Sequence, residues 1–318
     1  MSLAVESRGV TARVPGKINL ELVVGPRRSD GYHELATIFH AVGVHDHVTV
    51  VPSDEWSVQV AGPYAARVPV DATNLALLAA RRLAEAAGLS EPVALSIDKQ
   101  IPVAGGMAGG SADAAAALVA CDTLWELGLA REELVDLAGE LGSDVPFLLR
   151  GGTAIGSGRG ERLAPVLARG ELHWVLWVSH DVGLSTPEVY AECDRLRGKA
   201  AVPDPEPSGG LLAALRTMDT VTVGGALRND LQEAALSLLP ELREVIDAGA
   251  DMGVDGSVVA GSGPTVAFLV GSQAAAIDLS VGLAARGPQG DIKRTVGPVA
   301  GAQVVSASSP SGPPTRTG

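Results

Sequence analysis

A chain of 318 residues, 46% hydrophobic and 19% charged, has the apolar mass for a large buried core and reads as a globular protein of two domains. Its net charge of −13 argues against DNA or another phosphate-backbone partner, because such binding is carried by Lys and Arg; an anionic ligand here needs a local positive patch. Cys121 and Cys193, the only cysteines, give neither a disulfide framework nor a zinc site. Met1–Arg13 lacks a cationic start followed by an apolar run, and no uncharged apolar run reaches membrane-spanning length, so the expected setting is the reduced cytoplasm.

In chain order, Lys17 to Val24 alternates as a strand, with Ile18, Leu20, Leu22 and Val24 on one face and Lys17, Asn19 and Glu21 on the other. A charged turn over Gly25–Gly31 follows. Val48–Val51, Trp56–Val60 and Val93–Ile97 read as short strands, and Asn74–Gly88 as a helix closed by its glycine. Ser111–Leu127 and Arg131–Leu141 are the next helices, with a break at Ser143-Asp144-Val145-Pro146. A glycine-dense loop is expected over Gly151–Gly160, a buried strand over Leu172–Ser179 and a loop or flexible insertion over Gly198–Gly210. Helices Asn229–Leu239 and Pro240–Met252 join at Pro240. Strands Ser257–Ala260 and Thr265–Val270 flank Gly261-Ser262-Gly263-Pro264. Strands and helices alternate irregularly, which predicts an α+β fold. The domains are expected at 10–165 and 166–303, with a Ser/Pro/Gly-rich disordered tail over 304–318.

The most informative stretch is Ile101-Pro102-Val103-Ala104-Gly105-Gly106-Met107-Ala108-Gly109-Gly110-Ser111. Its glycines let backbone approach a ligand closely, and the helix beyond offers free N–H groups and a positive dipole end, so the stretch predicts a phosphate seat. No Lys-Ser or Lys-Thr pair closes it and G-x-G-x-x-G is absent, so neither the common phosphate loop nor the dinucleotide fingerprint is present. Read without further context, Ser111 is an N-cap, Asp144 another, and Lys17 a solvated lysine on a half-exposed strand. His45 and His47 share one strand face, but no third ligand is spaced nearby. They read as a solvated strand edge and no protein metal site is expected.

Four segments in consistent order, Pro15-Gly16-Lys17-Ile18-Asn19, the glycine stretch, Gly142-Ser143-Asp144-Val145-Pro146 and Gly261-Ser262-Gly263, resemble the GHMP kinase superfamily over roughly residues 10–300. Arg28-Ser29-Asp30-Gly31-Tyr32-His33-Glu34 narrows the resemblance to members that phosphorylate a cytidine diphosphate alcohol. The resemblance implies a left-handed β-α-β crossover in the N-terminal domain, a ferredoxin-like C-terminal domain, and a cleft between them where ATP, with Mg²⁺, meets the small-molecule substrate. It implies catalytic roles for Lys17 and Asp144. Asp144 would orient the acceptor hydroxyl and take its proton late, and Lys17 would pair with it or hold the transferring phosphoryl.

By the same resemblance, Pro102 to Ser111 wrap the triphosphate, with Met107 and Ala108 standing where relatives carry bulkier residues or glycine. Asn74 and Lys99 approach the adenosine, with a plain surface position as the other reading. Asn19 and Thr186 contact the substrate, Tyr32 and Tyr190 stack on its base and His33 hydrogen-bonds it. Gly261, Ser262 and Gly263 close over the phosphates, or simply connect two strands. Another GHMP kinase acting on homoserine, mevalonate or a sugar, and a nucleotide-binding module without catalysis, remain the alternatives.

Overall fold

The computed structural model describes residues 9–168, 170–180, 183–286 and 288–307. Two long strands, β1 (Val10–Arg27) and β2 (His33–Pro52), open the chain as an antiparallel pair. β3 (Ser57–Ala61), α1 (Leu75–Ala86) and β4 (Val93–Asp98) follow. Next come α2 (Gly109–Leu124), α3 (Arg131–Leu141), α4 (Val145–Arg150), β5 (Thr153–Gly158) and β6 (Arg162–Pro165). The second half holds β7 (Leu172–Ser179), α5 (Thr186–Arg197), α6 (Gly209–Thr217), α7 (Thr220–Gly225), β8 (Arg228–Asn229), α8 (Gln232–Leu238) and α9 (Glu241–Asp251). It ends with β9 (Gly256–Val259), β10 (Val266–Val270), α10 (Gln273–Arg286), β11 (Gly290–Gly297) and β12 (Gln303–Ala307).

One sheet runs β12-β1-β2-β4-β3, with β5 on β2, β6 on β5 and β8 on β1; β3 and β4 are parallel and joined through α1. The other runs β11-β7-β10-β9 and is antiparallel throughout. With helices between β7 and β9 and between β10 and β11, it is a β-α-β-β-α-β unit in ferredoxin-like order. Helix α2 packs on β1 and β2 and against α1, α3 and α4. Ala114–Ala117 are fully enclosed, as a helix apolar all round must be. No helix among the described residues is long and apolar enough to cross a membrane.

Several expectations are corrected. Gly151–Gly160 is not a loop: Thr153–Gly158 pairs with β2, and Gly156 is glycine because a Cβ there would lie 2.6 Å from the Phe39 ring. His45 and His47 do not sit at a sheet edge, since β2 lies between β1 and β4, and Asp46 between them is fully buried. The polar face of β1 is not half-exposed either. Lys17, Asn19 and Glu21 are all buried, and Glu21 accepts the Ser208 N–H at 2.8 Å where the segment before α6 crosses the strand. The expected tail begins too early, because Gln303–Ala307 forms a strand on β1; residues 308–318 lie outside the described residues. The division expected at 165/166 falls in the connection between β6 and β7, while β8 and β12 return to the first sheet.

His40, in the middle of β2, is fully enclosed, its Nδ1 bonded to Thr153 Oγ1 at 2.9 Å. Burial pushes its pKa from 6.5 down to about 3. The unfolded chain therefore takes up a proton below pH 6.5 that the folded chain refuses, and stability falls as pH drops from 6.5 toward 3. Between pH 7 and 5 we expect a loss of about 2 kcal/mol in urea unfolding, most of it absent in His40→Gln. An equal fall in both proteins rules His40 out as the cause.

Candidate active site

The glycine stretch leaves β4 and enters α2 through an irregular backbone. Ala104 (φ 53°) and Ala108 (φ 59°) both lie in the left-handed region, as does Gly106 (φ 78°). For alanine that conformation costs about 1–2 kcal/mol per residue, so the surroundings must hold the loop in place. Gly106 touches the turn after β9: a Cβ would lie 1.7 Å from Ala260 O, so only glycine fits. Met107 turns its side chain inward against Gly16, and its carbonyl accepts the Lys17 N–H at 3.2 Å. Thr265 N–H reaches Gly105 O at 3.3 Å. The helix begins at Gly109 with Ala108 as a cap that offers no side-chain oxygen, so among the described residues no capping side chain satisfies the first-turn N–H groups of α2. Ser111 is therefore the third residue of the helix and not its cap.

This loop forms one wall of a cavity of about 620 Å³, within the range of small-molecule sites. Pro102, Ala104, Gly105, Gly106, Ala108, Gly109, Gly110 and Ser111 line it; nothing lies within 4 Å of a Cβ built on Gly110. Val103 instead lines a smaller cavity of about 180 Å³ on the loop's other side. Gly261 and Ser262 line the main cavity and Gly263 does not. Its N–H closes the turn onto Ala260 O at 2.7 Å, and Asn229 Nδ2 holds Gly261 O at the same distance.

Lys17 joins the loop to the acid. Its ammonium donates to Asn19 Oδ1 at 2.9 Å and Gly106 O at 3.0 Å, and stands 3.9 Å from Asp144 Oδ2 and 5.7 Å from the centre of the Phe39 ring. Asp144 occupies the residue before α4, but its carboxylate makes no capping bond and faces the cavity. Asn19 lines the cavity, yet its amide is engaged on both sides, by Lys17 and by Thr37 Oγ1 at 2.8 Å. Through these bonds it orients Lys17 while remaining on the cavity wall.

A second group of side chains lies at the start of β2 and on α5. His33 is buried, its ring stacked on Tyr190 with centroids 5.1 Å apart, and its Nε2–H donates to Asp194 Oδ1 at 2.9 Å. Tyr190 and Asp194, four residues apart on α5, share a helix face. Burial raises the Tyr190 phenol above its ordinary pKa, with Asp144 adding to the effect. Tyr32 is 55% exposed, with the Arg159 guanidinium 5.0 Å above its ring. Thr186 Oγ1 meets Ser262 Oγ at 2.9 Å, joining α5 to the turn after β9. Asp194, Arg159 and Arg27 line the cavity without having been singled out by the sequence. The spacing of Asp194 from Tyr190 is a signal that could have found it; Arg159 and Arg27 carry none.

Two expected nucleotide contacts are not in the cavity. Asn74 caps α1, its Oδ1 accepting from Ala76 and Leu77 N–H and its Nδ2 donating to Pro69 O. Lys99 is neither a surface residue nor a cavity residue. It is fully buried behind the loop, with its ammonium 2.6 Å from both Asp46 Oδ2 and Asp113 Oδ2 and 2.8 Å from Gly109 O.

The cavity fits a nucleoside triphosphate. An uncapped helix start, open space at Gly110 and the Lys17 ammonium provide the donors and charge that a polyphosphate needs. A Mg²⁺ ion held mostly by phosphate oxygens asks for only one or two protein oxygens, and the Ser111 hydroxyl and Asp144 carboxylate line the cavity. Among the described residues no three His, Cys, Asp or Glu side chains cluster as a metal cage.

The N-terminal domain of GHMP kinases matches residues 74–152 and their C-terminal domain residues 211–289. The chain is 52% identical over 312 residues, 96% of each chain, to the 4-diphosphocytidyl-2-C-methyl-D-erythritol kinase of Mycolicibacterium smegmatis. It is 51% identical to the enzyme of that name from Rhodococcus jostii, over 96% of this chain and 97% of the relative. A crystal structure of 4-(cytidine 5'-diphospho)-2C-methyl-D-erythritol kinase superposes with a TM-score of 0.71 at 33% identity, covering 90% of this chain and 99% of that one. Homoserine kinase from Cytophaga hutchinsonii shares the fold, with a TM-score of 0.71 at 20% identity. By sequence and by architecture, the chain belongs to the 4-diphosphocytidyl-2-C-methyl-D-erythritol kinases of the GHMP superfamily.

Proposed function

We propose that this protein transfers the γ-phosphoryl group of Mg-ATP to the 2-hydroxyl of 4-diphosphocytidyl-2-C-methyl-D-erythritol, a step of the non-mevalonate route to isoprenoid precursors. The observation that carries the chemistry is the position of Lys17 between the loop carbonyl of Gly106 and the carboxylate of Asp144. Phosphoryl transfer needs alignment and charge neutralisation more than covalent help. ATP supplies the electrophilic phosphorus and a good leaving group; the protein holds it by loop and helix N–H groups.

Asp144 orients the acceptor hydroxyl. As the new O–P bond forms and the bond to the β-phosphate oxygen breaks, the hydroxyl proton passes to this carboxylate, late, because a carboxylate is a weak base toward an alcohol. The Lys17 ammonium, 3.9 Å from the Asp144 carboxylate, lies where negative charge on the transferring group needs offsetting. Tyr32, His33 and Tyr190 form the nucleobase end. The His33 ring covers one face of Tyr190, so the base platform is a His33–Tyr190 pair backed by Asp194, with Tyr32 at the exposed rim. A cytidine diphosphate alcohol suits an aromatic end and a phosphate end in one cavity, and the Tyr32-His33 group favours it over homoserine, mevalonate or a sugar.

Purified protein should release ADP only when Mg-ATP and the cytidine diphosphate alcohol are both present. No acceptor-dependent ADP removes the assignment. Asp144→Asn should lower kcat at least ~100-fold while a non-hydrolysable ATP analogue binds within about threefold of wild type. Near-normal turnover would take Asp144 out of its role. His33→Ala should raise KM for the alcohol about tenfold or more and leave KM for ATP unchanged; a change in KM for ATP alone would place these rings at the wrong end.

A further inference from the structure

Behind the nucleotide loop, away from the cavity, lies a charged cluster that the phosphoryl transfer does not use. Lys99, Asp46 and Asp113 are all buried. Each hydrogen of the Lys99 ammonium has an acceptor: Asp46 Oδ2 and Asp113 Oδ2 at 2.6 Å, and Gly109 O at 2.8 Å. The other oxygen of Asp46 accepts two backbone N–H groups, Gln100 at 2.6 Å and Ile101 at 2.8 Å. Asp46 thus holds the chain where the loop begins, and Lys99 ties it to the Gly109 carbonyl, where the loop ends and α2 starts, and to the Asp113 side chain one turn into that helix.

Buried ion clusters contribute little net stability, since desolvation offsets the attraction. Among the described residues, this one also leaves Asp113 Oδ1 without a partner. Its placement at both ends of a nine-residue strained segment points to another use. Ala104 and Ala108 keep left-handed backbone only where their surroundings over-determine it.

We propose that Asp46, Lys99 and Asp113 are positioning residues that fix both ends of the 101–109 loop and so set the affinity for ATP. This rests on the loop being the ATP cradle. None of the three touches the nucleotide; they act through the amides of the loop and the first turn of α2. Burial and the neighbouring Asp46 carboxylate raise the Asp113 pKa, against the pull of Lys99. Asparagine keeps the side-chain oxygen that accepts from Lys99 and so is a close mimic of Asp113.

The test compares wild type with Asp113→Ala, Asp113→Asn and Asp46→Asn. Two readouts are hydrogen exchange of the 103–111 amides without ligand and calorimetric titration with a Mg-bound non-hydrolysable ATP analogue; the third is KM for the acceptor. In Asp113→Ala, exchange of these amides should rise at least tenfold and the analogue Kd at least tenfold, with acceptor KM within twofold. Asp113→Asn should stay within threefold of wild type on all three. Asp46→Asn should fall between, and it carries the test if Asp113→Ala does not fold. Unchanged exchange and affinity in Asp113→Ala and Asp46→Asn, or a rise in exchange spread evenly over the protein, overturns the proposal. Increased loop exchange in a protein whose wild type binds no analogue would keep the clamp but remove the ATP reading beneath it.

Discussion

The ammonium of Lys17 is the point on which the site depends. It sits on β1, is buried, and reaches three oxygens that come from three places in the chain: its own strand, the nucleotide loop and the start of α4. A cation so placed stays buried only because those oxygens offset its desolvation, and they stay converged only because the cation is there. The protein as a whole is strongly acidic. Lys17 is therefore also the local positive charge that an anionic ligand requires, aimed by Asn19, which Thr37 holds in turn.

The second constraint is mechanical. The loop is pressed from one side by the turn after β9, where Ala260 leaves room only for glycine at position 106, and anchored from the other by the charges around Lys99. Ferredoxin-like and N-terminal halves meet at this contact. The Thr186–Ser262 bond ties the same turn to α5, which carries Tyr190 and Asp194. The Tyr190 side of the cavity and its glycine-loop side are thus joined through one turn.

What the sequence made legible follows from periodicity and order. Arg131–Leu141 and Leu172–Ser179 have the expected bounds, because an amphipathic helix closed by glycine and a continuous apolar strand are strong local patterns. The Lys17, Asp144 and glycine-loop constellation was visible as ordered motifs. Three things were hidden. The strand at Thr153–Gly158 was masked by its glycines, of which Gly156 makes room for the Phe39 ring. The true surroundings of Lys99 depend on Asp46, which lies 53 residues away and carries no motif. The stacking of His33 on Tyr190, likewise, is made by residues far apart in the chain, and no local pattern reports it.

β1 is flanked on its outer side by β12 and β8, both drawn from late in the chain, and on its inner side by β2. During synthesis from the N-terminus, the strand that carries Lys17 emerges early but keeps an unpaired edge until the last described residues leave the ribosome. Loop-closure entropy makes so distant a pairing slow, and an open edge in the meantime invites pairing with another nascent chain. Completion of the sheet that carries Lys17 is thus a late event, finished by a strand that pairs only with Val10–Arg13 and touches none of the chemistry.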